Sequence, residues 1–260
     1  MEKLINPEYF KIWKSLLDVD IRAAFLEIQH GNLEPNSFTF YTSVSVMSSS
    51  KIEGEELELD SYVKHKVLNI EYLPELTEKP NDLFTAYLFA NENKLTQKNF
   101  LEAHKLAAAH LLPKSQQGAL RKTEMLVLDN KTGRIQYEAT PLRILNDQYV
   151  RFWKEVESLI KKDLTIEEVF YYAAFIHLIF VDIHPFADGN GRISRLLEKW
   201  FLAEKLGERA WYIQSEKFYY KHVNEYYRNL ARLGMFYEEL DYEKSIPFLL
   251  MLPQSLIALN

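Results

Sequence analysis

The chain has 260 residues, of which 47% are apolar and 26% charged, with a net charge of -6 at pH 7 and a pI near 5.7. That length buries a full core without staples, and the acidic balance argues against a protein whose main task is to coat nucleic acid or an anionic membrane. There is no cysteine, so disulfides, Cys-ligated zinc and thiol nucleophiles are excluded.

The N-terminus, "MEKLINPEYFKIWKSLL", has no uninterrupted apolar stretch followed by a small-residue cleavage site, so no signal peptide is expected. Tyr9 to Ile28 has helical apolar spacing and ends before "HGN". "LPELTEKPND", with Pro74 and Pro80, is the best candidate for a boundary. "NDLFTAYLFANEN" and "TQKNFLEAHKLAAAHLL" read as helices, the second stopped by Pro113. "KTEMLVLDNKTGRIQYEATP" breaks the pattern: two short strand-like runs flank Asp129–Gly133, which predicts a β-hairpin. A lone hairpin is marginal in water, so it must lean on the helical body or await another strand.

Helical spacing resumes at Tyr149 to Ile160. Thr165 and Glu168 form a Thr-x-x-Glu capping box that starts a helix from Ile166 to about Val181. The apolar run Val169 to Val181, interrupted by His177, stops at Asp182 and is too short to span a bilayer. A cytoplasmic protein is the expectation. Further helices are predicted from Arg192 to Leu206, closed by Gly207, from about Glu216 to Leu233, and near the C-terminus. The predicted fold class is all-α with one small β-hairpin.

The chemistry concentrates in "HPFADGNGRISR", residues 184–195. Pro185 ends the preceding helix and pushes His184 out of helical geometry. Gly189 and Gly191 let backbone amides approach a ligand, and the loop delivers the chain to a helix N-terminus, where an anion is favoured. Arg192 and Arg195 stand in that first turn, the wrong end for cations, on a polar side away from the apolar face. A nucleotide phosphate chain resolves the conflict. Asp188 adds one carboxylate, which with substrate phosphates is a common way to hold Mg²⁺. His184 can then act as general base toward a hydroxyl. Each residue alone has an ordinary structural explanation; together, within one loop, they point to a phosphate site. The P-loop pattern is absent, and the dinucleotide fingerprint fails because Ser194 stands at its third glycine and a helix, not a strand, precedes it.

"HPFADGNGRISR" resembles the core motif of the Fic (filamentation induced by cAMP) family, His-Pro-Phe-x-[Asp/Glu]-Gly-Asn-Gly-Arg-x-x-Arg. The lead-in "HLIFVDI" and the hairpin at about 123–138 are similar to the family's helix and flap. The resemblance implies a mainly helical Fic fold. It implies an N-terminal helical region at 1–94 and a catalytic core with C-terminal helices at 95–260. The implied activity is transfer of AMP from ATP to a Ser, Thr or Tyr hydroxyl of a target protein. His184 is then the base and Asp188 the Mg²⁺ ligand, while Gly189, Asn190, Gly191, Arg192 and Arg195 hold the phosphates, Arg195 at the γ-phosphate. "SSSKIEGEE" fits the family's inhibitory motif, [Ser/Thr]-x-x-x-Glu-[Gly/Asn], as Ser49, Glu53 and Gly54. By this resemblance Glu53 pairs with Arg195 and blocks the γ-phosphate position. The competing reading of Glu53 is a capping box with Ser50. "EYYRNLARLG" is similar to a late Tyr-Tyr helix of the family, which makes Tyr227 a candidate contact for the base. Implied partners are ATP and a target protein, with room for a homodimer and with neither nucleic acid nor membrane. Removal of AMP, transfer of another phosphate-containing group, and non-catalytic nucleotide binding are the alternatives.

Overall fold

The computed structural model describes residues 3–30, 37–128, 133 and 135–257. Among these it is mainly helical, with a single two-stranded antiparallel sheet. No helix of the described residues is long and apolar enough to cross a membrane.

Two helices form the centre, α8 (Ile166–Ile183) and α9 (Asn190–Leu206). The capping box starts α8 as predicted. The Glu168 N–H donates to Thr165 Oγ1 at 3.3 Å, and the Thr165 N–H donates to Glu168 Oε2 at 2.8 Å. From Val169 to Ile183 every side chain of α8 is buried, so this helix is apolar all round and the others wrap it. Fully burying one such Phe, Leu or Ile contributes about 1.5–3 kcal/mol, which fixes the level at which α8 ends and the site begins. Gly207, at φ +87°, closes α9.

Several predicted elements differ. The expected helix from Tyr9 to Ile28 is two helices, α1 (Phe10–Ser15) and α2 (Ile21–His30). The break has a local cause: Asp20 Oδ1 accepts from the Ala23 N–H at 3.0 Å and starts a new helix. Pro74 and Pro80 mark no linker. Pro74 opens α5 (Pro74–Glu92), where its missing N–H is harmless. Pro80 lies inside that helix, and the buried row Thr77, Pro80, Leu83, Phe84 and Tyr87 outweighs its lost hydrogen bond. The helix α6 (Gln97–Ala107) is capped by Thr96 and stops short of Pro113, and α7 (Leu142–Lys161) begins earlier than Tyr149. The stretch expected from Glu216 to Leu233 divides at His222 into α10 (Ser215–Lys221) and α11 (Val223–Ala231), before α12 (Ile246–Gln254).

Two helices carried no usable apolar period. One is α4 (Leu59–Leu68). The other, α3 (Ser37–Ile52), buries Ser43, Ser45, Ser48, Ser49 and Ser50 along with its apolar residues, and packs against α4, α5, α9 and α10. Serine is small, so α3 approaches α9 closely. Two cations one turn apart on α9 meet two serines one turn apart on α3. Lys199 Nζ donates to Ser45 Oγ at 2.6 Å and Arg195 Nε donates to Ser49 Oγ at 2.8 Å.

The hairpin pairs β1 (Leu126–Leu128) with β2 (Ile135–Glu138), Val127 opposite Tyr137. Its predicted turn lies outside the described residues except Gly133. It leans on the helical body. The Glu138 N–H donates to Met235 O at 2.7 Å, and the Tyr137 hydroxyl reaches α8.

Buried beside that contact is Asp182. Burial pushes its carboxyl up to about 8, although the Tyr242 hydroxyl, donating at 3.1 Å, acts the other way. The folded state therefore keeps a proton that the unfolded state releases near pH 3.8. Its stabilising contribution is full below that value and is lost as pH rises toward about 8. Asp182→Asn is expected to gain several degrees of melting temperature over wild type between pH 6.5 and 8. Thermal unfolding of both proteins checks this; a gap that stays constant with pH would contradict it.

Candidate functional site

The helix α8 ends at His184 in left-handed geometry, φ 50° and ψ 58°. A non-glycine residue adopts this only when its surroundings insist. Here Pro185 prevents the helix from continuing, and Arg121 fixes the turn. Arg121 Nε donates to His184 O at 2.9 Å, its Nη1 donates to Thr123 O at 2.7 Å, and its Nη2 reaches Thr140 O. One buried guanidinium thus joins the His184 backbone to both feet of the hairpin. Phe186 stacks on His104 with ring centroids 3.6 Å apart, and His104 Nε2 donates to Asp188 O at 3.0 Å. The Asn190 carboxamide is spent on the loop itself, accepting from the Phe186 N–H at 2.9 Å and donating to Phe186 O at 2.8 Å. Asn190 therefore shapes the loop and leaves only its backbone for a ligand. Gly189, at φ +82°, makes the turn into α9.

The tautomer of His184 follows from its partners. Nδ1 lies 3.1 Å from Val181 O, which can only accept, so Nδ1 carries the proton. The Tyr137 hydroxyl lies 2.9 Å from the same nitrogen and donates to Val181 O at 3.2 Å. Nε2 is left with the lone pair. Burial pushes the imidazole down to about 4, against the opposing pull of Val181 O, Glu53 and Asp188. At neutral pH the ring is uncharged and able to take a proton.

The structure places Arg192 and Arg195 near the start of α9. Arg195 does not lie on a solvated side of α9: it is 1% exposed, and Arg192 is 5% exposed. Arg192 Nε and Nη1 are buried and make no hydrogen bond among the described residues. Arg192 lies in the first turn of α9, where an anion is favoured. Glu53 stands at this place. Its Oε1 accepts from Arg195 Nη2 at 2.6 Å, and Ser49 O accepts from the same nitrogen at 3.2 Å. Burial pushes the Glu53 carboxyl up, but Arg195 and Arg192 together outweigh this and hold it below its ordinary value. A Cβ at Gly191 would collide with Glu53 Oε1, so this glycine is what lets the carboxylate reach the first turn of α9. The capping-box alternative does not hold. Ser50 lies near the end of α3, not before a helix, and Gly54, at φ +94°, turns the chain away.

Asp188 is exposed at the mouth of the loop, its Oδ1 accepting from the Gly189 N–H at 2.5 Å and from Arg192 Nη2 at 3.4 Å. No group of three or more metal-ligating side chains forms among the described residues. One exposed carboxylate on a cavity that Arg195 also lines fits Mg²⁺ held jointly with a nucleotide, and does not fit a protein-only metal cage.

His184, Asp188, Gly189, Gly191, Arg195 and Glu53 line one cavity of about 640 Å³. Its other wall carries Tyr220, Val223, Asn224 and Tyr227, with Lys51 and Ile52 from the end of α3. Tyr227 lines the cavity, and its hydroxyl donates to Ile52 O at 3.2 Å. The sequence reading missed Tyr137, Arg121, Asn224 and Tyr226. Tyr137 had one legible signal, its place on the hairpin strand.

Residues 94–202 match the model of the Fic/DOC family. The span includes His184 to Arg195, while Ser49 to Gly54 lie outside it. Two curated relatives are each called protein adenylyltransferase Fic. That of Culex quinquefasciatus is 26% identical over 70% of this chain and 33% of its own length. That of Nematostella vectensis is 28% identical over 67% of this chain and 36% of its own length. The chain therefore spans about a third of the curated relatives it matches. Among solved structures, a Fic family protein from Desulfovibrio desulfuricans G20 superposes with a TM-score of 0.74 at 20% identity, covering 91% of this chain and 70% of that one. A Fic domain containing signalling protein from Bacteroides thetaiotaomicron gives 0.68 at 18% identity, covering 91% of both. The fold is the mainly helical Fic fold, and within it residues 94–202 match the Fic/DOC family model.

Proposed function

We propose that this chain is a self-restrained protein adenylyltransferase. The attacking Ser, Thr or Tyr oxygen forms a bond to the α-phosphorus of ATP, the bond from that phosphorus to the bridging oxygen breaks, and pyrophosphate leaves. His184 Nε2 takes the hydroxyl proton. Arg192 and Arg195 neutralise the phosphate chain at the start of α9, and positioning with charge neutralisation carries most of such a transfer. Asp188 would hold Mg²⁺, which supplies further neutralisation of the phosphates. The observation that carries the reading is the meeting, in one cavity, of a base with an open Nε2 and the buried Arg195, whose guanidinium there holds the Glu53 carboxylate.

Restraint comes from Glu53, whose carboxylate takes the anion position on Arg195. A second reading is favoured by the same group: a carboxylate 26% exposed in the cavity could orient water for removal of AMP. The test offers α-labelled ATP, UTP and CTP with cell lysate to a Glu53→Gly variant, and an AMP-modified protein to wild type. Label transferred from ATP, with an AMP adduct on the acceptor seen by mass spectrometry, supports the first reading. Transfer from UTP or CTP alone, or release of AMP by wild type without any transfer, rejects it.

Asp188→Ala should weaken Mg²⁺-dependent ATP binding, because this loop has no second carboxylate. Calorimetric titration with and without Mg²⁺ checks this. A variant that retains the wild-type metal dependence would remove Asp188 from the metal site.

A further inference from the structure

Without Glu53, the guanidinium of Arg195 would be a buried charge with only neutral partners in direct contact, Ser49 and the Tyr226 hydroxyl. Leaving such a charge uncompensated is unfavourable, and a loose arginine recognises phosphate poorly. The hydrogen bonds behind Arg195 supply an answer. Arginine only donates, so the Tyr226 oxygen, 3.4 Å from Nη1, accepts. Burial pushes the Tyr226 phenol up to about 12, so it keeps its own proton. That proton points to His177 Nε2 at 3.0 Å, which must then be the bare nitrogen. His177 Nδ1 therefore carries the hydrogen and donates to Glu198 Oε2 at 2.8 Å, where the Tyr219 hydroxyl also donates at 2.9 Å. Every donor and acceptor in the series has one consistent role.

The chain of bonds ends on a carboxylate with 0% exposure, whose second oxygen, Oε1, makes no hydrogen bond among the described residues. A half-satisfied buried carboxylate is unfavourable for stability alone, since apolar packing would serve as well. The cation beside it on α9, Lys199, is engaged with Glu216 at 2.6 Å and Ser45 at 2.6 Å. The charge of Glu198 is thus directed through His177 and Tyr226 toward Arg195.

We infer that Glu198, His177 and Tyr226 form a buried relay of positioning residues that keeps Arg195 aimed at the terminal phosphate when Glu53 withdraws, an inference that rests on the proposed function. In this arrangement Glu53 holds Nη2 and the relay holds Nη1 of one guanidinium, and displacement of Glu53 by phosphate exchanges one anion for another on an arginine that does not move.

The test measures ATP and AMP affinity by calorimetry in the Glu53→Gly background, alone and with Tyr226→Phe, Glu198→Gln or Arg195→Ala. The readout is the ratio of the two affinities, because AMP lacks the phosphate that Arg195 grips and a merely structural defect weakens both nucleotides together. Tyr226→Phe is expected to lower the ratio roughly tenfold, the scale of one hydrogen bond to a charged group, with Glu198→Gln in the same direction. Glu198→Gln keeps the shape and the acceptor, so it decides the matter should Tyr226→Phe fail to fold. If Arg195→Ala lowers the ratio while the folded relay variants leave it within about twofold, or lower both affinities in parallel, the relay is overturned and the role of Arg195 stands. If Arg195→Ala itself leaves the ratio unmoved, the γ-phosphate reading fails and the relay fails with it.

Discussion

His184→Ala is expected to reduce AMP transfer by about 10²–10⁴, the usual contribution of a positioned base, while ATP binding and the fold persist. The fold should tolerate the change because the turn is held mainly through the His184 backbone, by Arg121 at the carbonyl and by Phe180 O at the N–H, with the imidazole adding its bond to Val181 O. The Tyr137 hydroxyl keeps its bond to Val181 O when the ring is gone. The pH profile gives an independent check. A base works when deprotonated, and burial pushes His184 down to about 4, so kcat/KM should stay flat from pH 7 to about 5 and fall below that. In a Glu53→Gly background the limb moves lower still, because the Glu53 carboxylate pulls the imidazole up. Single-turnover transfer that survives in His184→Ala, or an acid limb near 6.5, would count against His184 as the base.

Glu53→Gly is expected to tighten ATP binding by on the order of tenfold to a hundredfold, because the charge-assisted bond it removes competes directly with the terminal phosphate. The change should show in ATP far more than in AMP. It should also lower stability modestly. The Glu53 carboxyl is held below its ordinary value in the fold, so its contribution is present above the unfolded pKa and is lost as pH falls through the folded one. A merely structural role for Glu53 would instead lower stability with no gain in nucleotide affinity. Titration of ATP into both proteins separates the two.

The parts of this molecule that were legible in the sequence are those whose physics is local. A capping box, a proline after a helix and a glycine turn act within a few residues, so Thr165, Pro185 and Gly189 could be read directly. The motif residues His184 to Arg195 were legible because they fall within one short loop and the helix it opens. What stayed hidden depends on distant segments. Serine has no apolar period, so α3 is invisible as a helix although its serines are what allow it to press against α9. Arg121, Tyr137 and Tyr226 look like ordinary residues until the fold sets them against His184 and Arg195. Pro80 misled because tertiary packing overrode its local preference.

The central claim is that Glu53 and a nucleotide phosphate compete for Arg195. Removing the acid frees the arginine; removing the arginine also breaks the pair but destroys the phosphate contact. AMP incorporation should therefore be measured, at equal folded concentration, for wild type, Glu53→Gly, Arg195→Ala and the double variant. Glu53→Gly should exceed wild type, Arg195→Ala should not, and the double variant should match Arg195→Ala. A Glu53→Gly protein no more active than wild type, or an Arg195→Ala protein activated to the same degree, would contradict it.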